Sequence, residues 1–281
     1  MLSLSNRIQN YFKKQLPSNS FTLSIFLFFR NYLQITMTLN LKIPHNYLCA
    51  LEKTDQNSDF HSIIAALSSS KYKTLLTCKA SIYQETLREF WKNANVQVQD
   101  KKPWGITSTG GEILVSITPQ TISEVFEMND HTCSTSFPKH EYQTDLTERG
   151  YEGQMDKTTL QKGNFPPPMK FLFHTLLMCI SNKTTAFNEI PLYIQYLGYA
   201  IMAKANFNYS RKIFNDIVKN VNNIKAKKKA FLLFPRFLSY YLQKRIPADS
   251  AQVLIQGAPC QINSLSSETF TRISESKDLK T

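Results

Sequence analysis

Glycine is scarce: eight residues in 281, none of them in a G-x-G-x-x-G or a G-x-x-x-x-G-K array. Glycine-rich phosphate cradles of the Rossmann or P-loop kind are therefore excluded, because they need a backbone free to approach a pyrophosphate. Cysteine is sparse and dispersed. Cys49, Cys78, Cys133, Cys179 and Cys260 are odd in number and form no C-x-x-C pair, which rules out a disulfide framework and a zinc ribbon. Reduced thiols point to a cytoplasmic or nuclear setting. Acidic residues are absent up to Glu52, and no apolar run reaches the roughly 20 residues that a membrane-crossing helix requires. Also missing are G-x-S-x-G, a D-[ST]-G, a Y-x-D-D and a retroviral C-x2-C-x4-H-x4-C knuckle. No cofactor and no small-molecule substrate is implied by any motif.

What is present is a hydrophobic fraction of 42%, with 19 Phe and 13 Tyr, enough for a large core. The net charge is +12, a balance that favours polyanionic partners, RNA or DNA above all. The acid-free opening, with Arg7, Lys13 and Lys14 around Leu4, Ile8, Tyr11 and Phe12, has the character of a weak organelle-targeting signal. Residues 1–36 are read as an unassigned basic leader upstream of Met37.

Periodicity predicts a mainly α (α+β) chain: a helical domain over 37–245 with one small antiparallel β-hairpin or three-stranded meander. Helices are expected at 59–72, with Asp59 as a cap, and at 81–96, capped by Ser81. The period then shortens. VQVQ, WGITST and EILVSI read as strands separated by turns at DKKP and TGGE. Thr118 and Pro119 open a helix whose Ile122, Val125 and Phe126 are expected to pack on the hairpin. A short helix at 141–151 stops at Gly150. Residues 169–180 and 190–206 are apolar on almost every side, so both are predicted to be buried helices packed together. Residues 209–221 and 233–245 read as further helices joined by a basic loop over 222–230. From 246 to 281 the composition is that of a polar, disordered tail.

Chemistry-bearing patterns are few. His131, Cys133 and His140 give H-x-C-x6-H without a fourth ligand, and loop residues are the expected reading. His174 is expected to be a satisfied core histidine, and Glu112 a turn residue. The distinctive stretch is YSRKIFNDIVKNVNNIKAKKKAFLLFPRFLSYYLQKR, residues 209–245, with ten Lys or Arg against one acid, Asp216. Lys225, Lys227, Lys228, Lys229, Arg236, Lys244 and Arg245 are candidate nucleic-acid contacts, able to pair with phosphates and release counterions. Phe231, Phe234 and Phe237 interleave with them and are assigned to the core.

Several blocks in order carry a likeness: NYLCALEKTDQNSDFHSIIAAL, SIYQETLREFWKNANV, GGEILVSITPQTISEVFEMND, LTERGYEG, TLQKGNF, MKFLFHTLLMCISNKTTAFNEI, NFNYSRKIFNDIVKNV and FLLFPRFLSYYL. Together they resemble the gag-like, transposon-associated domain of plant long-terminal-repeat retrotransposons, over about residues 37–244. The strand–GGE–strand–helix unit is similar to the hairpin-then-helix of plant mobile domains. PPPMKF stands where that family carries a Pro-Gln-Trp run, KAKKK is more basic than usual, and residues 1–36 have no counterpart. The family has no established catalytic residues. The resemblance implies a non-enzymatic structural or assembly protein that self-associates and binds its RNA. Two alternatives stay open at this point: a nuclear DNA-binding or protein-interaction module co-opted from a transposon, and a hydrolase with a dispersed site.

Overall fold

The structure is a computed structural model that describes residues 39–40, 47–49, 51–110, 113–155, 158–183, 185–228, 230–231, 233–255, 257–265, 269 and 272–273. The chain divides into two units, residues 1–40 and 41–281. In the first, Leu39–Asn40 are described, as extended backbone. All that follows concerns the second.

A 3₁₀ turn at Asp55–Phe60 leads into α1 (His61–Ser69), followed by α2 (Lys73–Thr77) and α3 (Gln84–Asn93). Strands β1 (Asn95–Gln99), β2 (Lys102–Gly110) and β3 (Ile113–Ile117) form an antiparallel meander in the order β1-β2-β3. Then come α4 (Pro119–Val125), α5 (Lys139–Glu148) and β4 (Thr159–Gln161). They are followed by α6 (Pro167–Cys179), β5 (Glu189–Pro191), α7 (Leu192–Ala203), α8 (Tyr209–Lys225) and α9 (Pro235–Arg245). β4 and β5 pair as a second small antiparallel sheet, with Leu160 opposite Ile190 and both buried. The fold is mainly α, with the sheets subordinate to it. Among the described residues no helix is long and apolar enough to cross a membrane.

The core is built on α6 and α7, as their all-round apolar composition predicts. Phe171, Leu172, Phe173, Leu176 and Leu177 of α6 are fully enclosed, as are Ile194 and Leu197 of α7. Each such side chain is worth roughly 1.5–3 kcal/mol relative to solvent exposure. The two helices approach closely at Gly198, where an added Cβ would come within 2.5 Å of the Phe173 ring. Glycine is required there by space. The 3₁₀ turn ahead of α1 packs on α6 through Phe60 and Phe171, whose ring centroids are 5.1 Å apart.

Helix termini decide where several elements begin. Thr118 caps α4 as the Thr-Pro signal predicts: its Oγ1 accepts from the Thr121 N–H at 3.1 Å, and its own N–H donates to Thr121 Oγ1. α4 packs mainly against α8 and α9, not against the hairpin. Phe126 meets Phe237 and Tyr240 at 5.4 and 5.5 Å, and the hairpin is reached through Tyr241, whose hydroxyl donates to Ser116 O at 2.6 Å. Ser81 is not a cap. The chain is extended at Ile82, whose carbonyl accepts from Cys260 N–H at 2.8 Å, so α3 starts only at Gln84. Asp59 lies inside the 3₁₀ turn, where Asn57 Oδ1 accepts from Thr54 N–H instead. Gly111 and Glu112 of the expected TGGE turn lie outside the described residues.

Residues 246–265, polar in composition, pack on the domain where they are described. Ile246, Leu254 and Leu265 are buried, Thr86 donates to Leu254 O at 2.8 Å, and Leu265 N–H donates to Leu48 O at 2.9 Å. A few apolar residues and backbone pairing hold this segment, and average composition does not register them.

Candidate nucleic-acid interface

α8 is positioned from its N-terminus. Asn208 Oδ1 accepts from Arg211 N–H at 2.9 Å, and buried Asp130 Oδ2 accepts from the N–H groups of Tyr209 and Ser210 at 2.7 and 3.0 Å. A carboxylate at this end complements the helix dipole. Ile213, Phe214, Ile217, Val218 and Val221 then bury one side of the helix. Ile224 extends that stripe, half-buried, and the helix runs on through Lys225, so the expected loop at 222–230 is shorter than read.

The C-terminus of α8 closes in a Schellman motif. Lys228 N–H donates to Asn223 O at 2.8 Å and Lys227 N–H to Ile224 O at 3.0 Å, with Lys227 in the left-handed region at φ 54°. Lysine is sterically poor there but suits the negative end of the dipole. Lys225, Lys227 and Lys228 are all exposed. Lys225 Nζ donates to the side-chain oxygen of Asn95, the first residue of β1, which ties the cluster to the hairpin. None of the three forms an ion pair with another described residue. Lys219 is also exposed, earlier on the same helix. Lys229 lies outside the described residues.

The remaining cations of the basic stretch serve the fold. Lys212 pairs with Asp216 and lies 4.0 Å from the Tyr193 ring centroid. Burial pushes the Asp216 carboxyl up, with Lys212 opposing it. Arg211 lies over Phe214 at 5.8 Å. Arg236, read from sequence as a phosphate contact, is 0% exposed. Its Nη1 donates to Cys78 O at 3.1 Å and its Nη2 to Cys179 O at 2.7 Å. Cys78 directly follows α2 and Cys179 ends α6, so one guanidinium satisfies the terminal carbonyls of two helices. Its position in the first turn of α9 turns the side chain inward, and Arg236 is withdrawn from the interface. Lys244 and Arg245 are exposed at the other end of α9, beyond Leu242, which packs on Gly110. Lys244 lies over the Tyr240 ring at 5.5 Å.

The interleaved aromatics behave as a core. Phe234 and Phe237 are buried and stacked, centroids 5.6 Å apart, and Phe231 is half-buried beside Asn220, whose Nδ2 donates to its carbonyl. Sequence reasoning missed Asn95, which receives Lys225, and Trp104 on the neighbouring strand β2, which is 51% exposed. The Pro103-Trp104-Gly105 triplet was the available signal, since proline and glycine flanking an aromatic mark an irregular strand.

Several of the other chemistry-bearing residues serve the fold through their backbone or side chains. His131 and Cys133 hold their loop by accepting from Asn208 Nδ2 through their carbonyls, at 2.8 and 3.2 Å. Among the described residues no group of three metal-binding side chains comes together. His174, half-buried on α6, contacts Lys162 Nζ through Nδ1 at 3.1 Å. Burial, the Lys162 ammonium and Arg272 push its imidazole down to about 4, so it accepts from Lys162 as a neutral ring. Asn182, after α6, donates to Asp216 and accepts from Tyr193. Asn208 is buried at the α8 cap.

Comparison with protein-family models, with curated proteins and with solved structures gives no match to this chain.

Proposed function

We propose that the chain is a non-enzymatic, retroelement-derived, gag-like protein, cytoplasmic or nuclear, that binds RNA or DNA and self-associates in assembly. The observation that carries the binding role is the exposed cluster of Lys225, Lys227 and Lys228 at the C-terminus of α8, without a described acidic partner. Lys219 extends it along the helix, and Lys244 with Arg245 forms a second, smaller basic spot. Such a surface holds phosphates by charge and counterion release, without selecting a sequence. The assembly role rests on the block resemblance over residues 37–244.

The test is a titration of labelled RNA and DNA with the full chain and with a variant carrying Lys225→Glu, Lys227→Glu, Lys228→Glu and Lys229→Glu. Salt-sensitive binding that the variant loses supports the reading, and binding that survives the change removes the cluster's role. Size-exclusion with light scattering, with and without RNA, tests self-association: a monomer under both conditions would sink the assembly role.

A further inference from the structure

The β1–β2 hairpin extends past the sheet it belongs to. β3 pairs with Ile106–Gly110 only, so residues 97–105 form a two-stranded arm. The arm turns at Asp100 and Lys101, both in the left-handed region at φ 49° and 62°. That is the two-residue hairpin geometry whose twist matches the strands. The turn leaves Lys101 and Lys102 exposed at the tip, beside the arm's one carboxylate, Asp100. Strand pairing passes from Gln97↔Gly105 to Val98↔Pro103 and skips Trp104, so Trp104 is the extra residue of a β-bulge. Bulges re-aim a side chain, and this one leaves an indole half in solvent next to Val98, itself 59% exposed. At the base of the arm Lys225 reaches Asn95. From Asn95 to Gln99 is about 13 Å along β1. In position along the ribbon, Trp104 thus falls between Lys225 of α8 at the base and Lys101 and Lys102 at the tip.

We propose that this arm is a stacking platform for single-stranded nucleic acid: an unpaired base lies on Trp104 while Lys225 at the base and Lys101 and Lys102 at the tip hold the neighbouring phosphates. The inference rests on the nucleic-acid reading above and adds the ring and the preference for unpaired bases. Cations flanking an aromatic are what a backbone-tracking, base-stacking site requires, and every base offers a face to the ring. Two copies of the arm would bring like charges together, which disfavours a second copy of this chain as the occupant.

The chain contains two tryptophans, and Trp91 is buried at 1% exposure against Phe90, so a ligand-induced change in indole emission reports Trp104. The full chain is titrated at low salt with a 12-nucleotide oligouridylate, with oligothymidylate and with a duplex of equal length. Quenching by both single strands is expected, and none by the duplex even where it binds. Trp104→Ala should weaken single-strand binding about 5- to 150-fold and Trp104→Phe much less. The thermal midpoint confirms that each variant is folded. Unchanged emission together with unchanged affinity of Trp104→Ala would overturn the stacking site while leaving the lysine cluster intact. Quenching by the duplex equal to that by single strands would overturn the preference for unpaired bases. An emission change that follows protein concentration without nucleic acid would show a second copy on the ring and also overturn it. If the wild-type chain binds none of the three probes, the nucleic-acid reading itself falls, and the stacking site with it.

Discussion

Replacing Arg236 by methionine separates a buried structural arginine from a phosphate contact. Methionine keeps the length of the side chain and limits the cavity, but it removes every donor. Cys78 O and Cys179 O, now accepting at 3.1 and 2.7 Å, would be left inside the protein without the guanidinium. An unsatisfied buried polar group costs about 1–3 kcal/mol, and bonds to a charged donor lie at the upper end of that scale. The packing of the guanidinium on the Phe237 ring, 4.8 Å away, is lost too. The expected destabilisation is about 3–5 kcal/mol. For a domain of this size that lowers the thermal midpoint by roughly 10 °C. Arg236→Lys should recover only part of it, because a single ammonium lacks the planar fork that serves both carbonyls. The assay is thermal or urea unfolding followed by circular dichroism, with RNA affinity measured below the transition. A fully stable Arg236→Met variant with weakened RNA binding would refute the reasoning and return this side chain to the surface.

Three further substitutions test other links. Lys227→Gly relieves the left-handed strain at the end of α8 and should stabilise the fold by about 0.5–1 kcal/mol in urea unfolding, while RNA affinity falls by one phosphate contact. Gly198→Ala gains helix propensity but forces its Cβ on Phe173, where only 2.5 Å is available. A net loss of about 1–2 kcal/mol is expected, and an unchanged midpoint would contradict the close approach of α6 and α7. His174 sets a pH dependence. Its folded value of about 4 lies below the unfolded value near 6.5, so the unfolded chain binds the proton first. Its contribution is whole above about pH 6.5 and is lost as pH falls toward 4, about 3 kcal/mol in all. His174→Gln should flatten stability over that window, and a wild-type profile in the variant would refute the assignment.

The elements most legible in the sequence were those whose residues carry their own reason. α6 and α7 announce burial because no polar side remains, and Thr118-Pro119 announces a helix start because both residues act locally. The three strands were visible in their alternation. What the sequence concealed depends on distant partners. Ser81 reads as a cap until Cys260, far along the chain, pairs with Ile82 and keeps the backbone extended. Arg236 has the composition of a surface cation, and only the meeting of the ends of α2 and α6 explains why it is inside. The lysines at 225–228 were found as a charge run. Their attachment to a hairpin arm through Asn95 is a tertiary fact with no local signature, and the bulge that exposes Trp104 showed only in its flanking Pro103 and Gly105.

The salt dependence of RNA binding tests the central claim most directly. With single-stranded RNA, each phosphate contact contributes about 0.7 to the slope of log affinity against log salt. The wild-type slope should therefore exceed that of a Lys225→Gln, Lys227→Gln, Lys228→Gln variant by about 2. Equal slopes and equal affinities for the two proteins would contradict the assignment of the α8 terminus as the nucleic-acid contact.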